Sequence, residues 1–268
     1  MSGKSPFLFI IPHSGQVVPE EFEGYENVSP VNIFFDSDAG ADLIFDIDDN
    51  PGRVLTADIS RLFVDVDREF RSLPPLTDDG VIKTKTSMNR YVFREGCYPD
   101  EIAISNILKR YYFPFHESVR SALADRNIGM IIECHTHMPV GPENSPDRGR
   151  PRPLVITCYT AGTDGGIKKT ATPEMAMDLA LITGKLFESE GTTVAESFRV
   201  SGDTGNGYLM KNYGTKSIPM LNLSISRSLF LNDRFFDLER LSFDRGRINR
   251  LKELLAGGLE RFRRKFLN

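Results

Sequence analysis

The chain has 268 residues, with 33 basic and 37 acidic side chains, a formal charge of −4, 40% apolar residues and 26% charged residues. That length can bury a sizeable core, and the slightly acidic balance excludes a surface built to grip nucleic acid or anionic membrane. No apolar run approaches the ~20 residues that span a bilayer.

Phe7-Leu8-Phe9-Ile10-Ile11 reads as a buried strand bounded by Pro12. The apolar stretch before Pro12, about five residues, is too short for the core of a signal peptide. Further strands are expected over 54–59, 62–66, 130–134, 154–158, 193–198 and 220–225, where β-branched and aromatic residues cluster between turn signals. Residues 101–125 read as two helical pieces that meet at Pro114, because proline removes a helix hydrogen bond and clashes with the preceding turn. Residues 71–88 and the proline-rich 139–153 read as long loops, which in a compact domain are often lids or binding loops. A helix follows, with Thr172 as N-cap, Pro173 at the first position and Gly191 past the end. Its Met175, Leu179, Ile182 and Leu186 form one apolar stripe. A last helix from about Phe243 to Phe266 places Ile248, Leu251, Leu255, Leu259 and Phe262 on one side. Its basic end opposes the helix dipole.

This alternation predicts an α/β fold: a mixed, mostly parallel sheet flanked by helices on both faces, in one domain over 1–268. Cys97, Cys134 and Cys158 are odd in number and unrelated in spacing, which fits neither a disulfide framework nor a zinc ribbon. A reducing cytoplasm is the expected compartment.

Only four histidines are present, and three follow strands. His13 comes after the first, and His135 and His137 follow the strand at 130–134. Ligands of open α/β sheets sit outside the carboxyl ends of strands. While the chain stays extended, Glu133, His135 and His137 share one face. Two imidazoles and a carboxylate are the usual protein ligands of a catalytic zinc, which keeps a position open for water. The other reading is histidines bonded to backbone at strand ends. Asp36 or Asp38 offers a third ligand, unless that acidic stretch is only turn and cap chemistry. His116, on a helix with Val119 and Leu123, suits packing or support of a neighbouring ligand. Arg61 and Arg68 either pair with Asp65 and Asp67 or recognise a substrate carboxylate with their planar forks. No Gly-x-Ser-x-Gly elbow and no complete phosphate-binding loop occurs, and the glycines at 162–166 and 202–207 fit turns rather than a dinucleotide fingerprint.

In order and spacing these segments resemble the N-formylglutamate amidohydrolase family. The likeness runs through Pro12-His13-Ser14-Gly15, Asp36-Ser37-Asp38, Ser60 to Arg68, Asp79-Gly80-Val81-Ile82-Lys83, Tyr112-Phe113-Pro114-Phe115-His116, and Ile132-Glu133-Cys134-His135-Thr136-His137-Met138-Pro139. It continues in Gly207-Tyr208, Tyr213-Gly214 and Arg227-Ser228-Leu229-Phe230. The resemblance implies a hydrolase fold similar to zinc carboxypeptidases, with a mixed eight-stranded sheet and one Zn2+ per chain. Carried over by motif, His13, Asp38 and His135 become metal ligands, with Asp36 and His137 as alternates. Arg61 becomes catalytic and substrate-binding, joined in substrate binding by Arg68, His116, Asn206 and Tyr208. The reaction implied is hydrolysis of a linear amide in a small N-acyl amino acid or related carboxylate. Three positions depart from the family pattern. Ser224 stands where a general-base glutamate is expected, Asp67 stands where an asparagine is expected, and 201–207 replaces the substrate segment. Serine cannot act as a base near neutrality, so Glu133 becomes the candidate proton acceptor, unless it only accepts a hydrogen bond from a ligand histidine's N–H. A carboxypeptidase-like metallopeptidase and a metal- or ligand-binding homologue without turnover are the alternative readings.

Overall fold

The structure is a computed structural model that describes residues 5–47, 53–163, 166–190, 196–201 and 207–267. In chain order the elements are β1 (Phe7–Ile11), α1 (Pro30–Asp36), α2 (Ala41–Phe45), β2 (Val54–Thr56), α3 (Glu101–Ile107), α4 (Phe113–Leu123), β3 (Met130–His137), β4 (Val155–Cys158), β5 (Thr160–Thr163), β6 (Gly166–Lys169), α5 (Pro173–Glu188), β7 (Phe198–Ser201), α6 (Tyr208–Tyr213), β8 (Met220–Ser226) and α7 (Arg245–Phe266).

Six strands form the main sheet in the order β2-β1-β3-β8-β4-β7. All neighbours are parallel except β4 and β8. The mixed, mostly parallel sheet is therefore present. The eight strands that the family resemblance implied are six among the described residues, because β5 and β6 pair only with each other as a separate hairpin.

Period-two alternation decides what each strand face meets. Phe7, Phe9 and Ile11 of β1, Met130, Ile132 and Cys134 of β3, and Leu221, Leu223 and Ile225 of β8 bury against α2, α5 and α7. Leu8, Ile10, Ile131 and Met220 face the other way, onto Val119 of α4 and Leu209 and Met210 of α6. Helices thus cover both faces. On α7 the stripe Ile248, Leu251, Leu255, Leu259 and Phe262 is buried throughout, and each such side chain contributes about 1.5–3 kcal/mol. The helix starts are capped as side-chain chemistry requires. Thr172 Oγ1 accepts from the Met175 N–H, and Asp244 Oδ1 from the Arg247 N–H.

Five segments differ from expectation, the first being the strand expected over 54–59, which is β2 and ends at Thr56. The run 62–66 is not a strand. Ser60 O accepts from the Phe63 and Val64 N–H groups, and Asp65 Oδ1 accepts from the Asp67 N–H. These local bonds compete with a strand ladder, so Leu62, Phe63, Val64 and Val66 are buried as a turn-rich loop over a second cluster with Phe22 and Phe93. In the 101–125 region the break before Pro114 is a π-helical turn at Leu108–Tyr112, and Pro114 sits in the first turn of α4, where a missing N–H costs nothing. β3 runs to His137 rather than ending at Cys134. The strand expected over 193–198 is β7, which begins at Phe198; residues 193–195, like Gly191, lie outside the described residues. Among the described residues no helix is long and apolar enough to cross a membrane.

Candidate active site

β1 pairs with β3 only as far as Glu133, whereas β3 pairs with β8 all the way to His137. The end of β3 therefore projects past β1 at the carboxyl edge of the sheet. Pro12 cannot extend the β1 ladder, and the chain turns so that His13 faces His135, with ring centroids 5.0 Å apart. The turn needs Gly15, since a Cβ there would stand 2.3 Å from Asp58 O and 2.4 Å from Ala57 O. The His13 carbonyl accepts from the Asp38 N–H at 2.7 Å and brings in the third residue. Gly40, next along, has φ +79°, and a Cβ there would meet the Phe230 ring at 2.9 Å, so only glycine starts α2 in this way.

His13, Asp38 and His135 each offer a ligand atom, and these atoms lie within 4.8 Å of one another. His135 Nδ1 donates to Asp38 Oδ2 at 2.7 Å, and His13 Nδ1 is 3.8 Å from the same oxygen, buried and without a hydrogen bond. On its far side each imidazole meets a second carboxylate. His13 Nε2 donates to Asp65 Oδ1 at 2.8 Å, and His135 Nε2 stands 3.2 Å from Glu133 Oε1. A carboxylate on the outer nitrogen fixes the tautomer and raises ligand basicity, the usual support of a metal-bound histidine. The donor set of two imidazoles and one carboxylate with an orphaned buried nitrogen fits a divalent transition ion.

Electrostatics follow from burial and these contacts. Burial, with the Arg61 charge, pushes His13 down to about 4 against the opposing Asp65 and Asp38. Burial would lower His135 too, but Asp38 and Glu133 push it up to about 10. Burial opposes ionisation of Asp38, yet His135, His13 and Arg227 hold its carboxyl below the usual range. Asp65 is held well below it by His13, Lys83 and Arg61 despite complete burial. Asp67 goes the opposite way: burial and the neighbouring Glu133 charge hold its carboxyl well above the usual range.

These residues line a cavity of about 320 Å³ that includes His13, Asp36, Asp38, Arg61, Asp67, Arg68, Glu133, His135, His137, Ser224 and Arg227. The cavity therefore brings together nine of the residues singled out from the sequence. Not all of them are equally free to act. Asp36 and His137 lie outside the three-residue donor cluster. Asp36 Oδ2 accepts from Ser87 N and Oγ at 2.6 and 3.0 Å. His137 Nε2 donates to Pro153 O at 3.0 Å, so its Nδ1 accepts from the Ser224 hydroxyl at 2.8 Å. Arg68 is engaged by Asp79 Oδ2 at 2.8 Å and the Asp79 carbonyl. Arg61 donates to Asp65 Oδ2 at 3.3 Å and keeps its buried Nε without a partner.

His116 and Tyr208 are not among the residues lining this cavity. His116 Nδ1 shares a hydrogen bond with Tyr213 OH at 2.9 Å, and its ring packs on Tyr112 and Tyr208. That aromatic group braces the loop carrying the charges: Tyr112 OH donates to Arg68 O, and Leu209 N–H to Asp67 Oδ1. Asn206 lies outside the described residues. Two residues matter more than the sequence suggested. Asp65 looked like a simple arginine partner, and its contact with His13 spans 52 positions. Arg227 is buried, donating to Thr136 Oγ1 and Phe35 O at 3.1 and 2.9 Å and to Ser37 O, and its Nη2 lies 3.4 Å from Asp38 Oδ1. It braces the carboxylate of the donor set.

The class defined here is an α/β protein with a charged, metal-competent cavity at the carboxyl edge of a mixed sheet. The sequence matches the N-formylglutamate amidohydrolase (FGase) family over residues 5–231, and the chain belongs to that family of hydrolases. The fold is similar to the N-formylglutamate amidohydrolase from Ralstonia eutropha JMP134, with TM-score 0.67 and 20% identity over 98% of this chain and 96% of that one. It is also similar to a gene product from Agrobacterium tumefaciens, with TM-score 0.58 and 14% identity over 96% of this chain and 92% of that one. No curated protein matches the chain in sequence.

Proposed function

We propose that the protein is a hydrolase dependent on one Zn2+ per chain that cleaves a linear amide in a small N-acyl amino acid or related carboxylate. The observation that carries this reading is the convergence of His13, Asp38 and His135 within 4.8 Å, each histidine backed by a carboxylate. When bound, a zinc ion supplies Lewis acidity and an acidified water at neutral pH. Arg61, with a buried donor to spare, holds the substrate carboxylate or the developing oxyanion. Arg68 adds positive charge beside it. Glu133, whose buried Oε1 lies 3.2 Å from His135 Nε2, supports that ring and also accepts the proton from water, the role that Ser224 cannot fill. Asp67 lines the same cavity, its carboxyl held above the usual range by burial and the Glu133 charge. Cys97, Cys134 and Cys158, none of them in a disulfide, are in keeping with a cytoplasmic setting.

The hydrogen bond that ties Ser224 to His137 favours a second reading, binding of the same ligands without turnover. Both are tested by incubating zinc-loaded and chelator-treated protein with N-formyl and N-acyl amino acids and following amine release. Release that needs metal and falls about 10²–10⁴-fold in Glu133→Gln supports the hydrolase. Tight ligand binding with no amine released would leave only the second reading.

A further inference from the structure

The two long loops form a second cavity of about 500 Å³ that opens from the first. Phe35, Asp36, Ser87, Met138 and Pro142 line both. The second cavity is built from 86–90 of one loop and 140–149 of the other, with Phe35 behind them. Arg61, Arg68, Arg152 and Arg227 line the first cavity but not the second, whose charged lining is Asp36, Arg90, Glu143 and Arg148.

The walls are assembled rather than loose. Asp36 clamps Ser87 through two bonds, and Asn144 Nδ2 donates to Thr86 O at 3.0 Å, tying loop to loop. The second loop closes on itself through Gly141 N to Arg150 O at 3.0 Å and Arg152 N to Pro139 O at 2.8 Å. Arg152 holds Asp147 with two bonds of 2.7 Å. Most polar groups here bond one another. Asp36 Oδ2 takes two bonds from Ser87, the Thr86 hydroxyl accepts from the Met88 and Arg90 N–H groups, and Arg148 pairs with Glu143. The remaining lining is mainly Phe35, Met88, Met138, Val140 and Pro142, with the Arg90 side chain beside them.

We propose that this cavity is a subsite for the acyl chain of the substrate, and that the preferred substrates are N-acyl amino acids bearing an apolar chain of several carbons. The proposal rests on the hydrolytic reading above for the position of the scissile carbonyl. The carboxylate end stays among the arginines of the first cavity, so the part that crosses Met138 and Pro142 is the acyl side. A formyl group carries only a hydrogen there and would leave an apolar space of ligand size filled with water. Each methylene buried instead gains about fourfold in binding.

The test is a series of N-formyl-, N-butyryl-, N-hexanoyl- and N-octanoylglycine with zinc-loaded enzyme, following affinity by calorimetry and kcat/KM by amine release. The expected result is a rise in affinity of about fourfold per methylene over the first carbons. Val140→Asp and Met88→Asp, both at exposed side chains, should flatten that rise by at least tenfold at octanoyl. Affinity that is level or falling beyond formyl overturns the proposal. So does a rise that follows the amino-acid side chain rather than the acyl chain. If affinity climbs with chain length but no amine is released from any member, the subsite stands and the hydrolase reading fails.

Discussion

Asp65→Asn removes one charge from the middle of the site without changing its shape. Asp65 is completely buried and meets His13 Nε2 at 2.8 Å, Lys83 Nζ at 3.0 Å, Arg61 Nη2 at 3.3 Å and the Asp67 N–H at 3.0 Å. Asparagine keeps an oxygen for His13, so the ring stays in place, but the imidazole loses the charge that raises its basicity. Losing a carboxylate partner of this type weakens metal affinity by about 10–100-fold, or roughly 1.4–2.8 kcal/mol. The metal-free fold pays separately, because Lys83 and Arg61 are left with less countercharge. Breaking a buried pair costs about 3–5 kcal/mol, and Lys83 retains Asp79, which puts the expectation at the lower end. Competition against a chromophoric chelator reads the first quantity, and urea unfolding of the metal-free protein at pH 7 reads the second. Zinc affinity within threefold of wild type would refute the role assigned to Asp65, whatever happens to stability.

Four further outcomes are expected. In the metal-free protein His135 is raised to about 10, so its contribution to stability is complete below about pH 6.5 and is lost as pH rises through 10. Zinc must displace that proton, and calorimetry at pH 8 in buffers of different ionisation enthalpy should show about one proton released per zinc; none released would contradict the assignment of His135. Ser224→Ala should leave kcat/KM within about threefold while removing a buried bond to His137, for about 1 kcal/mol by urea unfolding; a hundredfold loss of rate would make Ser224 catalytic. Gly15→Ala forces a Cβ to within 2.4 Å of two backbone oxygens and should lower both Tm and zinc affinity; unchanged values would show that the His13 turn tolerates movement. Arg227→Lys keeps a charge but loses the fork that reaches Thr136, Phe35, Ser37 and Asp38, and should destabilise the fold by about 2–3 kcal/mol; a cost under 0.5 kcal/mol would show that a point charge suffices there.

The sheet was legible because β1 and the first half of β3 read as unbroken apolar runs, and β8 sets Leu221, Leu223 and Ile225 in period-two alternation. The placement of His13, Glu133 and His135 followed from strand ends and period-two alternation. The segment 62–66 was misread because its apolar side chains are buried, as a strand's would be, while Asp65 turns the backbone through bonds that a hydropathy pattern does not carry. Glu133, Arg61 and Arg68 could be placed near one another, but not their partners. The Asp65–His13 and Arg227–Asp38 contacts join positions 52 and 189 apart, and such pairing depends on tertiary packing. His116 and Tyr208 show where motif and position diverge. Their motif signals a functional region, yet their side chains brace the loop behind the cavity.

The most direct measurement is elemental analysis of wild-type protein and of His13→Ala and His135→Ala, purified without chelator, with circular dichroism to establish folding. The account predicts about one zinc per wild-type chain and almost none in either folded variant. A folded wild-type chain that takes up no metal on reconstitution, or variants that keep a full equivalent, would contradict it.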